Sequence, residues 1–218
     1  MTKNIITVIV LLAITLGVQG CLDNLKEETK IEKKLLIGSP DESNYQFSQK
    51  YFAEANYEEA LKYDLKQLEE DLKYYKEESA EVSLDYNNIG LDYSKLKAYS
   101  KALEYYNKAL KIDSIVFDIN STEKATTFYN IASSYDAIND YNRSLLYYKR
   151  ALNIDRDNEN ILASFQDIAK VYKKLKNYSF SLKYYRSALA LQMKLLEKDD
   201  EAIVETKRAI SELEKKLL

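Results

Sequence analysis

Apolar and polar positions follow a helical period along most of this chain, and one arrangement of them comes round four times. In the clearest copy, Tyr86, Ile89, Gly90 and Tyr93 fall on one face of a first helix. Tyr99, Ala102, Leu103, Tyr106, Ala109 and Leu110 do the same for a second, and Lys97 and Ala98 supply the turn between them. The same text returns as Phe128, Ile131, Ala132, Tyr135, Tyr141, Ser144, Tyr148 and Ala151, and again as Phe165, Ile168, Ala169, Tyr172, Tyr178, Ser181, Tyr185 and Ala188. A degenerate first copy holds Phe47, Ser48, Tyr51, Tyr57, Ala60 and Leu61. Aligned on Ser48, Gly90, Ala132 and Ala169, the copies are offset by 42, 42 and 37 residues. A helical hairpin that cannot bury its own apolar stripe must stack on the next copy, so the period predicts an all-α solenoid of antiparallel helix pairs. Two helices approach closely only where side chains are short, and Gly90 is therefore expected to receive the bulk of Tyr106 or Tyr93.

The ends of the solenoid follow from local signals. Ser39 reads as a helix cap with Pro40 at the first helical position, which starts the first hairpin there. Ser79 and Ser121 or Thr122 read as caps of later helices. A last amphipathic helix carries Ile203, Ile210, Leu213 and Leu217 on one side and is expected to cap the stack. The chain thus divides into an N-terminal leader at 1–20, a charged tether at 21–38, a solenoid of about four repeats at 39–198 and a capping helix at 199–218.

The small residue, the Tyr three residues on and the later Ala or Ser before Tyr-Tyr resemble the tetratricopeptide repeat. The longer variety of about 42 residues, found in kinesin light chains and bacterial peptide-sensing regulators, is the nearer likeness. The resemblance covers about residues 41 to 195. It departs from the usual pattern in carrying Asn44, Tyr86, Phe128 and Phe165 at the Trp site, and in lacking the Pro that closes each unit. The resemblance implies a right-handed superhelix whose first helices line a concave groove for a protein or an extended peptide. It places Tyr45, Gln46, Gln49 and Phe52 there from the first copy, and Asn87, Asn88 and Leu91 from the second. Tyr129, Asn130 and Ser133 follow from the third, and Gln166, Asp167, Lys170 and Lys174 from the fourth. In such relatives an Asn at the register of Asn88 and Asn130 holds the backbone of a bound peptide, a task that suits an amide because it both donates and accepts. The variety that grips a terminal carboxylate needs cations across the groove. Tyr45, Gln49, Asn88, Thr126 and Asn130 occupy those places, so that specificity is not expected. Lys170, Lys173 and Lys174 make the C-terminal end of the groove basic on sequence alone, which would suit an acidic segment.

Of the twenty tyrosines, Tyr93, Tyr106, Tyr135, Tyr148, Tyr172 and Tyr185 sit at interior places and are expected to pack. Tyr45 and Tyr129 lie outside the pattern and are the ones available to a ligand.

The first residues change the picture of where this solenoid works. Lys3 is followed by an apolar run from Ile5 to Leu16 and by Val18-Gln19-Gly20-Cys21, the parts of a secretory leader too short for a membrane span. An aliphatic residue three before the Cys and a Gly immediately before it resemble the lipobox of bacterial lipoproteins, which implies cleavage before Cys21 and lipid on its sulfur. An ordinary secretory signal and an uncleaved anchor helix remain open readings; all three export the chain. No second Cys exists to form an intrachain disulfide. Removing residues 1–20 takes away one cation of 32, so 31 basic against 35 acidic side chains leave a balance of −4. Without a basic tract, nucleic acid is a poor partner.

Histidine is absent and glycine occurs four times, with no phosphate loop, nucleophile motif or metal-ligand spacing. The composition therefore argues for a non-catalytic interaction protein without cofactor or metal. Three uses are compatible with it: a lipid-anchored scaffold in the cell envelope, a peptide sensor coupled to a membrane partner, and a surface or secreted interaction protein.

Overall fold

The computed structural model describes residues 40–154, 158–197 and 200–218. Cys21, the tether and Ser39 lie outside the described residues. From Glu42 onward the chain forms one compact unit. Its helices are α1 (Ser43–Ala53), α2 (Tyr57–Tyr74), α3 (Ala80–Lys95), α4 (Tyr99–Val116), α5 (Thr122–Ala137), α6 (Tyr141–Ile154), α7 (Asn158–Lys174), α8 (Tyr178–Leu195) and α9 (Glu201–Lys215). Each packs on its neighbour in sequence, α3 also touches α5, and no strand occurs among the described residues. The fold is the expected solenoid of helix pairs.

The turn inside each pair is built the same way four times. Seven residues after the small residue, Ala55, Lys97, Asn139 and Lys176 take φ of 57°, 60°, 63° and 58°. The next residue returns its N–H to a carbonyl five back, as in Ala98 to Tyr93 at 2.8 Å and Asn177 to Tyr172 at 2.9 Å, which closes the first helix. That residue also caps the second helix: the side chains of Asn56, Asp140 and Asn177 accept from the N–H of Glu59, Arg143 and Phe180. Ala98 occupies this place in the second repeat and makes no side-chain cap. Between pairs, Ser79 and Ser121 cap α3 and α5 through the N–H of Val82 and Lys124. The first helix begins at Ser43 rather than at Pro40, because the hydrogen-bond ladder opens with Gln46 N–H on the Glu42 carbonyl, beyond the proline.

Close approach is set by the small positions. Ser48 is 1 % exposed, and Ala132 and Ala169 are fully buried. A Cβ on Gly90 would lie 2.6 Å from Cε1 of Tyr106, so in the second repeat the ring fills the space of a methyl group. Ile89, Ile131 and Ile168 beside them are sealed, as are Ala109, Ala151 and Ala188 on the second helices. Tyr106, Tyr148, Tyr172 and Tyr185 are buried, with Tyr93 and Tyr135 half-buried.

Each pair is also pinned by three rings. The second helix contributes Tyr63, Tyr105, Tyr147 or Tyr184, and each stacks on a first-helix tyrosine, Tyr51, Tyr93, Tyr135 or Tyr172, at 5.5 to 5.8 Å. The same ring leans on Tyr86, Phe128 or Phe165 on its other side. In the first repeat Asn44 stands at that place, and Phe47, one turn later, supplies the third ring at 5.2 Å from Tyr63. Lys108 and Arg150 lie over Tyr105 and Tyr147 at 4.5 and 5.2 Å, adding cation–π attraction on the outer side.

The last helix continues the register of the first helices. Ile203, Ile210 and Leu213 stand 42 residues after Ile161, Ile168 and Val171. Accordingly α9 packs on α8 with Leu213 sealed against Ala169, Leu182 and Tyr185. Where the earlier first helices carry Tyr93, Tyr135 and Tyr172, α9 has Glu214, ion-paired with Arg186 at 2.8 Å. The polar substitution suits a helix whose far side meets water.

Candidate functional site

The residues assigned to the groove lie on α1, α3, α5 and α7, the first helices of the pairs. Between the second and third repeats they join in a polar relay. Asn130 Nδ2 donates to Asn87 Oδ1 at 3.3 Å, and Asn87 Nδ2 donates to Thr127 Oγ1 at 2.7 Å. The Thr127 hydroxyl is 2.7 Å from Oδ2 of buried Asp113, whose other oxygen accepts from Ser83. The relay thus runs from the half-buried amides to a carboxylate 1 % exposed. Asn88, placed with Asn130 at the register expected to hold a peptide backbone, is not in this relay: its Nδ2 is buried and has no partner. It lines a cleft of about 230 Å³ together with Leu84, Leu91, Phe117, Asn87 and Asn130, where Glu123 adds an acidic side chain. The apolar walls of this cleft can seat a side chain, and the buried Asn88 donor would hold one carbonyl of an extended chain once its amide turns toward the cleft.

The C-terminal half is organised differently. The Tyr129 hydroxyl donates to Asp167 Oδ2, and Lys170 Nζ bonds Asp167 Oδ1 at 2.8 Å. Burial and the Asp167 charge push the Tyr129 phenol up from its ordinary value, so it stays a donor. Lys174 reaches both oxygens of Asp136 at 2.7 Å, and Lys173 pairs with Glu212 at 3.3 Å. The basic end expected from sequence is corrected here: all three lysines already face carboxylates, two of them from other helices. Such exposed pairs contribute only about 0–1 kcal/mol each, yet they cancel the field an acidic partner would feel.

Other assigned residues stand apart. Tyr45 is 39 % exposed, with its N–H held by Gln67 Oε1 at 3.1 Å. Gln49 is exposed and Gln166 half-buried. Ser133 shares a hydrogen bond with the Tyr148 hydroxyl. Tyr129 also borders a second cleft of about 190 Å³ with Thr126, Asn160 and Ala163. Among the described residues no group of three His, Cys, Asp or Glu side chains is placed to hold a metal ion, and no helix is long and apolar enough to cross a membrane.

Thr127, Asp113 and Asp136 were not singled out from sequence. Asp113 had a signal, since it lies 23 residues after Gly90, as Asp71 lies after Ser48 and Gln192 after Ala169. Extending the repeat alignment to the end of the second helix exposes that column.

Comparison with known proteins agrees with this geometry. A family model of the tetratricopeptide repeat matches residues 46–115 and 86–157. No curated protein matches the sequence. Among solved structures, the nearly identical TPR-like repeats assigned to a kinesin light chain of Podosopora anserina superpose with a TM-score of 0.69 at 13 % identity, covering 79 % of this chain and 84 % of that one. BtubC (BKLC) from P. vanneervenii gives a TM-score of 0.70 at 18 % identity, over 88 % of this chain and 77 % of that one. At these identities the likeness speaks for the fold. The two family matches together span residues 46–157, more than half of the sequence, over the helix pairs whose small positions and tyrosines recur in step: the chain belongs to the tetratricopeptide repeat family.

Proposed function

We propose that this protein is a non-catalytic scaffold, lipid-anchored through Cys21 in a bacterial cell envelope, whose first-helix groove binds a protein partner or an extended peptide. Repeats of this family bind proteins, and the observation that carries the reading here is the cleft between the second and third repeats. There Asn88 presents a buried donor without an acceptor, while Asn87 and Asn130 are held in place by their relay. A peptide carbonyl, met by rotation of the Asn88 amide toward the cleft, would satisfy that donor, offsetting a cost of about 1–3 kcal/mol for an unmade bond. The anchor rests on the apolar run from Ile5 to Leu16 and the Gly20-Cys21 junction.

Affinity capture from native membranes with the intact protein and with Asn88→Ala/Asn130→Ala tests the groove. A specific protein retained by the first and lost by the second, at unchanged helical content, supports the reading; equal capture by both removes it. Fatty-acid labelling of wild type against Cys21→Ala tests the anchor, and an unlabelled wild type removes that half. The same unsatisfied amide favours a second reading, in which the groove captures a diffusible peptide and reports to a membrane partner. A short peptide that raises the melting temperature of the purified chain would favour it over a stable assembly.

A further inference from the structure

The first repeat departs from the others at its centre. Asp64 lies 16 residues after Ser48, where Tyr106, Tyr148 and Tyr185 follow the other small residues. Across the α2–α3 contact its carboxyl lies within hydrogen-bonding reach of that of Asp92, and Ser48 of α1 lies within the same reach of it. Two turns along the same contact, Asp71 and Asp85 lie within hydrogen-bonding reach of each other, and Gln67 Nε2 donates to Asp71 at 3.0 Å. The four side chains are 4 %, 0 %, 6 % and 4 % exposed in the order Asp64, Asp92, Asp71, Asp85. No N–H or hydroxyl donor reaches either oxygen of Asp92, or Oδ2 of Asp85. The remaining charges acting on the four are acidic, Glu70 of α2 and Glu81 of α3, and three phenols face them, Tyr106 of α4 beside Asp92, Tyr75 beside Asp71 and Tyr86 beside Asp85.

The contrast with other repeat contacts is chemical. The place of Asp71 and Asp85 is taken by Asp113 and Thr127 between the second and third repeats. A hydroxyl satisfies a carboxylate at any pH, whereas two buried carboxylates cannot both be ionised without strong repulsion. With no N–H or hydroxyl donor on either oxygen of Asp92 or on Oδ2 of Asp85, the bond that joins each carboxyl to its partner needs a proton.

We propose that the contact between the first and second repeats is operated by protons: each carboxyl pair holds one proton when α2 is docked on α3, and their loss releases α1 and α2 while the remaining helix pairs stay stacked. Burial, and then the neighbouring acids, push Asp85 and Asp92 up to about 8, with Asp64 and Asp71 also raised. The docked form therefore binds protons that the released form gives up above the ordinary carboxylate range. Docking is strongest in acid, weakens as the pH rises toward about 8, and changes no further beyond it. Release would carry Tyr45 and Gln49 away from the other groove residues, whatever the groove binds.

Hydrogen exchange of the intact chain between about pH 5 and 9, corrected for intrinsic exchange rates, tests this. The expected result is that amides of α1 and α2 lose protection by about tenfold per pH unit for each pair up to about pH 8, while α7 to α9 keep theirs. In Asp64→Asn/Asp85→Asn an amide in each pair donates without a proton, and the slope with pH should fall well below that of the wild type, the burial of Asp92 and Asp71 leaving a remainder. Protection of α1 and α2 that does not change with pH overturns the proposal, and so does a variant that keeps the wild-type slope. If that variant does not fold, Asp92→Asn takes its place: removing one acid should reduce the slope by about half, and a full slope overturns the idea.

Discussion

The ring of Tyr106 occupies the space of a side chain on Gly90: a methyl there would lie 2.6 Å from Cε1 and 2.7 Å from Cδ1. Tyr106 is 1 % exposed and cannot swing clear. Gly90→Ala gains about 1 kcal/mol of helix propensity but overpacks at a cost of about 1–3 kcal/mol. The expected outcome is a net loss of about 1 kcal/mol in denaturant unfolding. Adding Tyr106→Leu should recover part of it, because the smaller side chain vacates the site, and a double variant worse than the sum of the two singles would contradict this account.

Ala98 offers the opposite opportunity. Its φ and ψ of −85° and 57° resemble the −92° and 75° of Asn56 and the −87° and 74° of Asn177, both of which cap their helices. Ala98→Asn should install the missing bond to α4 and stabilise the protein by about 1 kcal/mol in thermal or denaturant melts.

Lys97 holds φ at 60°, a conformation that costs an L-residue about 1 kcal/mol or more. Lys97→Gly relieves that strain but frees the unfolded chain, leaving an expected gain of about 0.5 kcal/mol. The same change at Lys101, inside α4, should instead destabilise by about 1 kcal/mol, and comparing the two melts separates turn geometry from loss of charge.

Asp113 binds Ser83 and Thr127 between the second and third repeats. Asp113→Ala should cost about 2–4 kcal/mol, since two hydroxyls lose a charged acceptor in a sealed place. Asn87→Ala, at the half-buried end of the same relay, should cost about 1 kcal/mol, and a double-mutant cycle between them should show coupling.

Periodicity carried the architecture because stacking requires the same short side chain at the same place in every pair, and Gly90, Ala132 and Ala169 meet that requirement openly. Contacts across repeats were harder to read. Asn88 and Asn130 share a register, yet Asn130 meets Asn87, 43 residues away, and Lys174 meets Asp136, 38 away. Packed helices are offset along their axes, so the partner of a side chain is seldom its equivalent in the next copy. The carboxyl pairs of the first repeat were hidden for another reason. An Asp on a helix reads as solvated surface, and only the tyrosine missing at Asp64 marked that place as interior.

The stacked tyrosines have an optical consequence. The chain has twenty tyrosines and no tryptophan, so its emission and the longer-wavelength part of its near-ultraviolet dichroism, beyond the bands of its six phenylalanines, come from phenol rings. Tyr51–Tyr63, Tyr93–Tyr105, Tyr135–Tyr147 and Tyr172–Tyr184 each stack within one helix pair. Every repeat therefore carries its own built-in chromophore pair, and replacing one ring at a time with leucine would assign the spectrum pair by pair, giving a label-free record of which part of the stack comes apart first.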